Sequence, residues 1–225
     1  ESMKKWLEKV DWIYVIVPLA LLGTFWVIAA FAGQWPWQSN PYNSYALQTD
    51  SWLKGRLDLG QNYEWLELAI YQGKYFVSFP PFPSYVLIPF VILFGTNTPD
   101  HFIALAVTII GCIYAVKLYR EASAEKQHSL FWVLMLYFAS GYLFVGMNGY
   151  VWFIAQSMSF TLSLMALYYT LRNKGGLALT FWACAVGCRP MLALYGILLG
   201  YLLVKGYKKE NPKGTVWQLV KEKWY

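Results

Sequence analysis

Ser84-Tyr85-Val86-Leu87-Ile88-Pro89-Phe90-Val91-Ile92-Leu93-Phe94 is apolar and uncharged, and it lies between Pro80-Pro81-Phe82-Pro83 and Gly95. How this stretch sits decides the topology of the whole chain. As a helix rising 1.5 Å per residue it covers roughly 17 Å, about half the thickness of a bilayer's hydrocarbon core. It is either a poor membrane span or a short helix at the interface.

The surrounding composition sets the question in a bilayer. The chain has 225 residues, of which 58% are hydrophobic, 20% aromatic and 13% charged, with a mean hydropathy of +0.37. A soluble domain carries about 25% charged residues. So little charge excludes a disordered or nucleic-acid-binding chain despite the net charge of +6, and it weighs against a soluble enzyme. Cys112, Cys184 and Cys188 all lie in apolar runs, a spacing that suits neither a disulfide framework nor a zinc site.

Six spans are expected in an all-α polytopic membrane protein, at about residues 11–32, 102–119, 129–146, 149–171, 176–187 and 190–205. The first has too long an apolar core for a signal peptide and no small-residue cleavage site. Arg189-Pro190 breaks the last long run into two short helices. Charge then decides the ambiguous stretch. If Ser84 to Phe94 does not cross, only Lys54, Arg56, Lys74 and Arg189 of the 18 basic residues face outward. If it crosses, every later loop inverts and the bias reverses. The positive-inside rule favours the first arrangement. Both termini are then cytoplasmic, residues 206–225 form a basic cytoplasmic tail, and a large loop, 33–101, lies outside.

That loop is rich in aromatics and acids, more like a functional loop than a linker. It opens with Trp35-Pro36-Trp37, an interfacial pair. Asn43 or Ser44 can cap a helix running to Lys54 and ended by Gly55. Tyr45, Ala46, Trp52 and Leu53 form its apolar face, with Gln48, Ser51 and Lys54 off it, as in a helix lying in the interface. Gln72-Gly73 predicts a tight turn or hairpin. Phe79-Pro80-Pro81-Phe82-Pro83 is extended, and Pro83 can start the short helix.

These features together resemble the GT-C superfamily of membrane glycosyltransferases. The branch they are most similar to is the bacterial relatives of glycosyltransferase family 39, the protein O-mannosyltransferase and aminoarabinose-transferase group. The resemblance rests on one outer loop with an interfacial helix, an acid, the stretch Gly73-Lys74-Tyr75-Phe76-Val77-Ser78-Phe79-Pro80-Pro81-Phe82-Pro83, a second short helix and a late Arg189-Pro190. It covers about residues 12–205. It implies a GT-C-like module with two juxtamembrane helices in a bacterial plasma membrane, and a chain that is a truncated or minimal version of it. The implied reaction is inverting transfer of a sugar from a polyprenyl-phosphate donor to a hydroxyl on a glycan, lipid or protein acceptor, at the outer membrane face. A loop carboxylate would act as base and basic residues would hold the donor phosphate. One departure stands out: the family's acidic pair after the first span falls at Asn43-Ser44, neither of them acidic.

On that resemblance Asp50 is the candidate base, or else a solvated residue on an interfacial helix. Glu67, in an apolar run, is the reserve base if burial raises its pKa; otherwise it is an edge residue in water. Arg189 is the candidate phosphate anchor, since a charge between apolar helices is functional by default; snorkelling to the interface is the alternative. Lys54 and Arg56 could assist at the phosphate or simply face headgroups. His101, Trp152, Gln156 and Tyr75 are candidate sugar or acceptor contacts, against structural or aromatic-belt roles. No metal ligands are identified, and a divalent metal is neither indicated nor excluded. The competing reading is a non-catalytic accessory or lipid-binding membrane subunit that retains the GT-C scaffold.

Overall fold

The computed structural model describes residues 11–33 and 35–223, so Lys4, Lys5 and Lys9, which enter the charge bias above, lie outside the described residues. The chain is mostly helical. In order, the elements are α1 (Ile13–Ala32), α2 (Ser44–Leu53), β1 (Leu68–Tyr71), β2 (Lys74–Val77), α3 (Phe82–Phe94), α4 (Asp100–Ala122), α5 (Ser129–Phe138), α6 (Tyr142–Met147), α7 (Val151–Leu171), α8 (Gly175–Cys188), α9 (Tyr195–Glu210) and α10 (Val216–Lys223). A 3-10 turn, Pro190–Leu194, leads into α9.

Four helical segments are long and apolar enough to cross a membrane: Ile13–Ala32, Asp100–Ala122, Val151–Leu171 and Pro190–Glu210. The other two expected spans differ from that length. The region 129–146 divides into α5 and α6 around Ala139-Ser140-Gly141. Ser140 explains the break: its hydroxyl donates to the Leu136 carbonyl and accepts from the Tyr142 amide at 3.1 Å, taking over backbone partners that a continuous helix would use. The region 176–187 is the 14-residue α8, which ends where Pro190 removes a backbone donor and holds Arg189 extended at φ −144°, ψ 102°.

The Gln72-Gly73 turn is a hairpin, with both residues at positive φ (49° and 72°) and Ile70 paired with Tyr75. This is the two-residue turn geometry whose twist matches paired strands. The all-α description therefore gains one small two-stranded sheet.

α7 is the central post. It packs along α4 and α8 and meets α3, α6 and α9. At the α4–α7 crossing Gly111 has no room for a Cβ against the Thr161 hydroxyl, and Thr161 donates to the Val107 carbonyl at 3.1 Å. Small residues there let the backbones approach closely, as in membrane helix pairs.

The loop helices belong to the same core. Tyr45 and Ala46 of α2 and Leu87 and Val91 of α3 are buried in one cluster with Ile103, Ala104, Val151, Ile154, Met158 and Cys188. This corrects the expected face of α2. Gln48, Thr49 and Ser51 are buried, whereas Leu53 is half exposed. The reason is a hydrogen-bonded seam with α3: Ser84 donates to Gln48 Oε1 at 2.6 Å, and Thr49 donates to the Ser84 carbonyl at 2.8 Å. With its polar groups satisfied by a neighbour, the polar side of α2 turns inward.

Candidate functional site

Arg189 stands at the break after α8. Its extended backbone is held by neighbours: its amide donates to the Ala185 carbonyl at 2.9 Å, and its carbonyl accepts from Leu192 at 3.0 Å. Trp182 closes the turn by donating its indole N–H to the Leu192 carbonyl at 2.8 Å. From this corner the guanidinium reaches the start of α7, where Nη2 donates to the Trp152 carbonyl at 2.6 Å. Nε is buried with no acceptor. Among the described residues no carboxylate lies within ion-pair distance of Arg189.

Tyr45 completes the corner. It is 2% exposed, and its hydroxyl is buried with no hydrogen-bond partner. Burial pushes the phenol well above its ordinary value, and the Arg189 charge nearby pulls the other way. The phenol therefore stays protonated as a donor. Ser44, one residue earlier, also has a buried hydroxyl without a partner. Arg189 and Tyr45 thus bring a cationic side chain and a neutral hydroxyl with unspent hydrogen-bonding capacity near one another. A buried unpaired donor is costly, and an oxyanion is a ligand that would satisfy both. Around them the Tyr42 ring meets the Trp152 ring at 5.3 Å and Phe79 meets Tyr45 at 6.4 Å, so the surroundings are aromatic.

Gln156, Ser159, Ser163, Tyr142, Leu192 and Tyr195 line a cavity of about 400 Å³. Gln156 lies one helical turn from Trp152 on α7, but neither Arg189 nor Trp152 lines this cavity.

The remaining predicted residues divide. Asp50 is partly exposed and accepts from Lys54 Nζ at 2.7 Å, one turn along α2. That pair occupies Lys54 and leaves no direct link from Asp50 to Arg189. Glu67 is exposed just before β1, so the burial expected to raise its pKa does not occur. Only its backbone carbonyl is engaged, by the Ser78 hydroxyl at 2.8 Å. Arg56 is exposed, folded over Gly60. Tyr75 lies in β2, its carbonyl accepting from Leu59 at 2.8 Å. His101 is 7% exposed and accepts from the Gly149 amide at 3.1 Å, which gives it a structural place.

The residue missed as part of the arginine corner is Tyr45, read from the sequence only as part of an apolar face lying in the interface. Its unpaired hydroxyl was not legible without the packing. No protein-family model, curated protein or solved structure matches this chain.

Proposed function

We propose that the protein is an inverting glycosyltransferase of GT-C type that binds a polyprenyl-phosphate sugar, with Arg189 on the donor phosphate. The observation that carries this reading is the Arg189 guanidinium: buried at Nε, held by one backbone carbonyl, and without a carboxylate partner among the described residues. A charged residue at a break between apolar helices is retained for function, and the Tyr45 hydroxyl near it extends the donor set. In this reading α5–α6 and α8 complete six crossings, the loop 33–101 faces outward, both termini are cytoplasmic, and the host is a bacterial plasma membrane. Asp50 takes the acceptor proton from a glycan, lipid or protein hydroxyl once Lys54 releases it.

The accessory reading is favoured by one observation: Asp50 is already tied to Lys54, away from the arginine. In that case the protein binds the lipid phosphate and transfers nothing.

The experiment is transfer from synthetic polyprenyl-phosphate sugars by purified protein in lipid nanodiscs, with binding of the lipid phosphate measured in parallel. Arg189→Ala is expected to lower both by a hundredfold or more, about 2.7 kcal/mol, and Arg189→Lys to recover part. Binding without transfer in the unaltered protein selects the accessory reading. Unchanged binding in Arg189→Ala rejects both.

A further inference from the structure

An apolar groove runs between α4, α5, α7 and α9 and opens at the end of the bundle away from Arg189. It encloses about 670 Å³, a volume within the range of ligand pockets. Among the described residues that line it none is charged. Its depth follows from helix rise. On α4 the lining runs from Ala115 to Ala122, and on α7 from Leu164 to Leu171, roughly 10 Å along each axis. Ala122 and Leu171 are the last residues of their helices. The groove therefore opens where two apolar helices end and reaches inward from there. Trp132 and Leu198 stay about half exposed along it.

The mouth is basic on its α9 side. With 3.6 residues per turn, positions i, i+4, i+7 and i+11 share a helix face. On α9 these are Leu198, Leu202, Lys205 and Lys209. The two leucines line the groove, and the two lysines continue the same face beyond it. Both lysines are exposed. The acids at this end of the bundle are engaged elsewhere. Glu121 pairs with Arg172 at 3.7 Å, Glu125 with His128 at 2.9 Å and Asp11 with Arg120, while Glu210 accepts from Asn173 at 2.6 Å. Among the described residues no carboxylate lies within ion-pair distance of Lys205 or Lys209.

We propose that the groove holds an acyl chain of an anionic phospholipid whose phosphate sits on Lys205 and Lys209. The two parts of the site match the two parts of that molecule. An acyl chain makes no hydrogen bonds and needs only apolar walls, which the groove supplies. A phosphate at the helix ends meets two ammonium groups one turn apart, and basic pockets between membrane helices bind anionic headgroups. A zwitterionic lipid brings its own cation beside the lysines and loses part of that attraction. A second copy docked about a two-fold axis would bring the lysines of both copies together, which disfavours that occupant. The site requires that α4, α7 and Pro190–Glu210 lie in a bilayer; it does not depend on the reading of Arg189.

The test is thermal unfolding of the purified full chain, delipidated in neutral detergent and titrated with dioleoyl phosphatidylglycerol, dioleoyl phosphatidylcholine or glycerol 3-phosphate. Phosphatidylglycerol is expected to raise the midpoint saturably, with half-saturation about tenfold or more below that of phosphatidylcholine, since each lysine near an anionic headgroup counts. Glycerol 3-phosphate, a headgroup without chains, is expected to have no effect. Lys205→Ala combined with Lys209→Ala should bring the two lipids within about twofold of each other. Leu202→Trp, which fills the groove, should weaken both. An equal response to the two lipids overturns the proposal, as does a phosphatidylglycerol preference kept in the double lysine variant, or a response to glycerol 3-phosphate that matches the lipid. A crosslink between copies through Leu198→Cys that lipid does not displace assigns the groove to a second copy and also overturns it. If Leu202→Trp does not fold, the double lysine variant decides, because both side chains are exposed and their loss leaves the bundle packed.

Discussion

Gly149 abuts the backbone of Asp100 so closely that a Cβ on Gly149 would overlap the Asp100 carbonyl carbon and the His101 amide nitrogen. The neighbours are backbone atoms at a helix start, which cannot swing aside as a side chain would. Gly149→Ala is therefore expected to destabilise the fold by about 1–3 kcal/mol, the cost of forcing extra atoms into a packed site. Gly141 is the comparison. Nothing lies within 4 Å of a Cβ there and its φ is −64°. Gly141→Ala should stay within about 0.5 kcal/mol of the unaltered protein. Thermal unfolding of the two variants side by side checks the contrast.

Tyr45→Phe separates a ligand-binding hydroxyl from a structural one. The hydroxyl is buried and bonds to nothing in the protein. Removing it should leave stability unchanged or raise it by up to about 1 kcal/mol. If the hydroxyl donates to a bound phosphate, binding of polyprenyl phosphate should fall about tenfold, near 1.4 kcal/mol. A variant that loses stability and keeps its lipid affinity would refute the assignment.

Asp50 and Glu67 make different predictions once their surroundings are known. Glu67 is exposed and its side chain has no described partner, so Glu67→Gln should transfer sugar at the unaltered rate. Asp50→Asn should slow transfer by about 10² to 10⁴, the range for losing a general base. Transfer rates of the two variants measured beside the unaltered protein report each effect.

Asp11, just before α1, accepts hydrogen bonds from the Arg120 guanidinium at the end of α4. That hydrogen bond holds the Asp11 carboxyl below its ordinary value of 3.8; slight burial opposes it, and the Arg120 charge reinforces it. The folded pKa is lowered, so the contribution is fully present above the unfolded value and lost as pH falls through the folded one. Both side chains are partly exposed, which limits the pair to about 0–1 kcal/mol. The stability difference between the unaltered protein and Asp11→Asn should be constant from pH 5 to 8 and shrink below pH 4. A difference that widens on acidification would contradict this.

Much of the fold is legible in the chain because single residues punctuate it. Gly33 and Gly95 close helices at positive φ, Gln72-Gly73 turns the hairpin, and Arg189-Pro190 breaks the last apolar run. The break at Ser140-Gly141 is harder to read, since Leu130 to Val145 is almost uniformly apolar and both residues are tolerated inside helices. Apolarity alone does not give the buried side of α2, where Tyr45 and Ala46 share the interior with polar residues. Gln48 and Thr49 turn inward only because Ser84, over thirty residues later, meets them. Asn40 and Asp100 are sixty residues apart, and no local pattern announces their contact. Arg189 was visible as a charge between apolar runs. That no carboxylate among the described residues pairs with it could be seen only once the fold had placed them.

The shortness of α8 reaches beyond the protein. Its 14 residues give about 21 Å of helix, about 9 Å less than a typical hydrocarbon core. If α8 crosses the bilayer, as proposed above, with Arg172 and Lys174 among the headgroups at its first end, the shortfall falls at the other end, beside Arg189. The surrounding lipid would then thin there. A dimple in the leaflet would lower headgroups and water toward the guanidinium and shorten the climb of a lipid phosphate to meet it. Bilayer thickness would thereby control this protein: thin membranes relieve the mismatch, and thick, sterol-like ones penalise it.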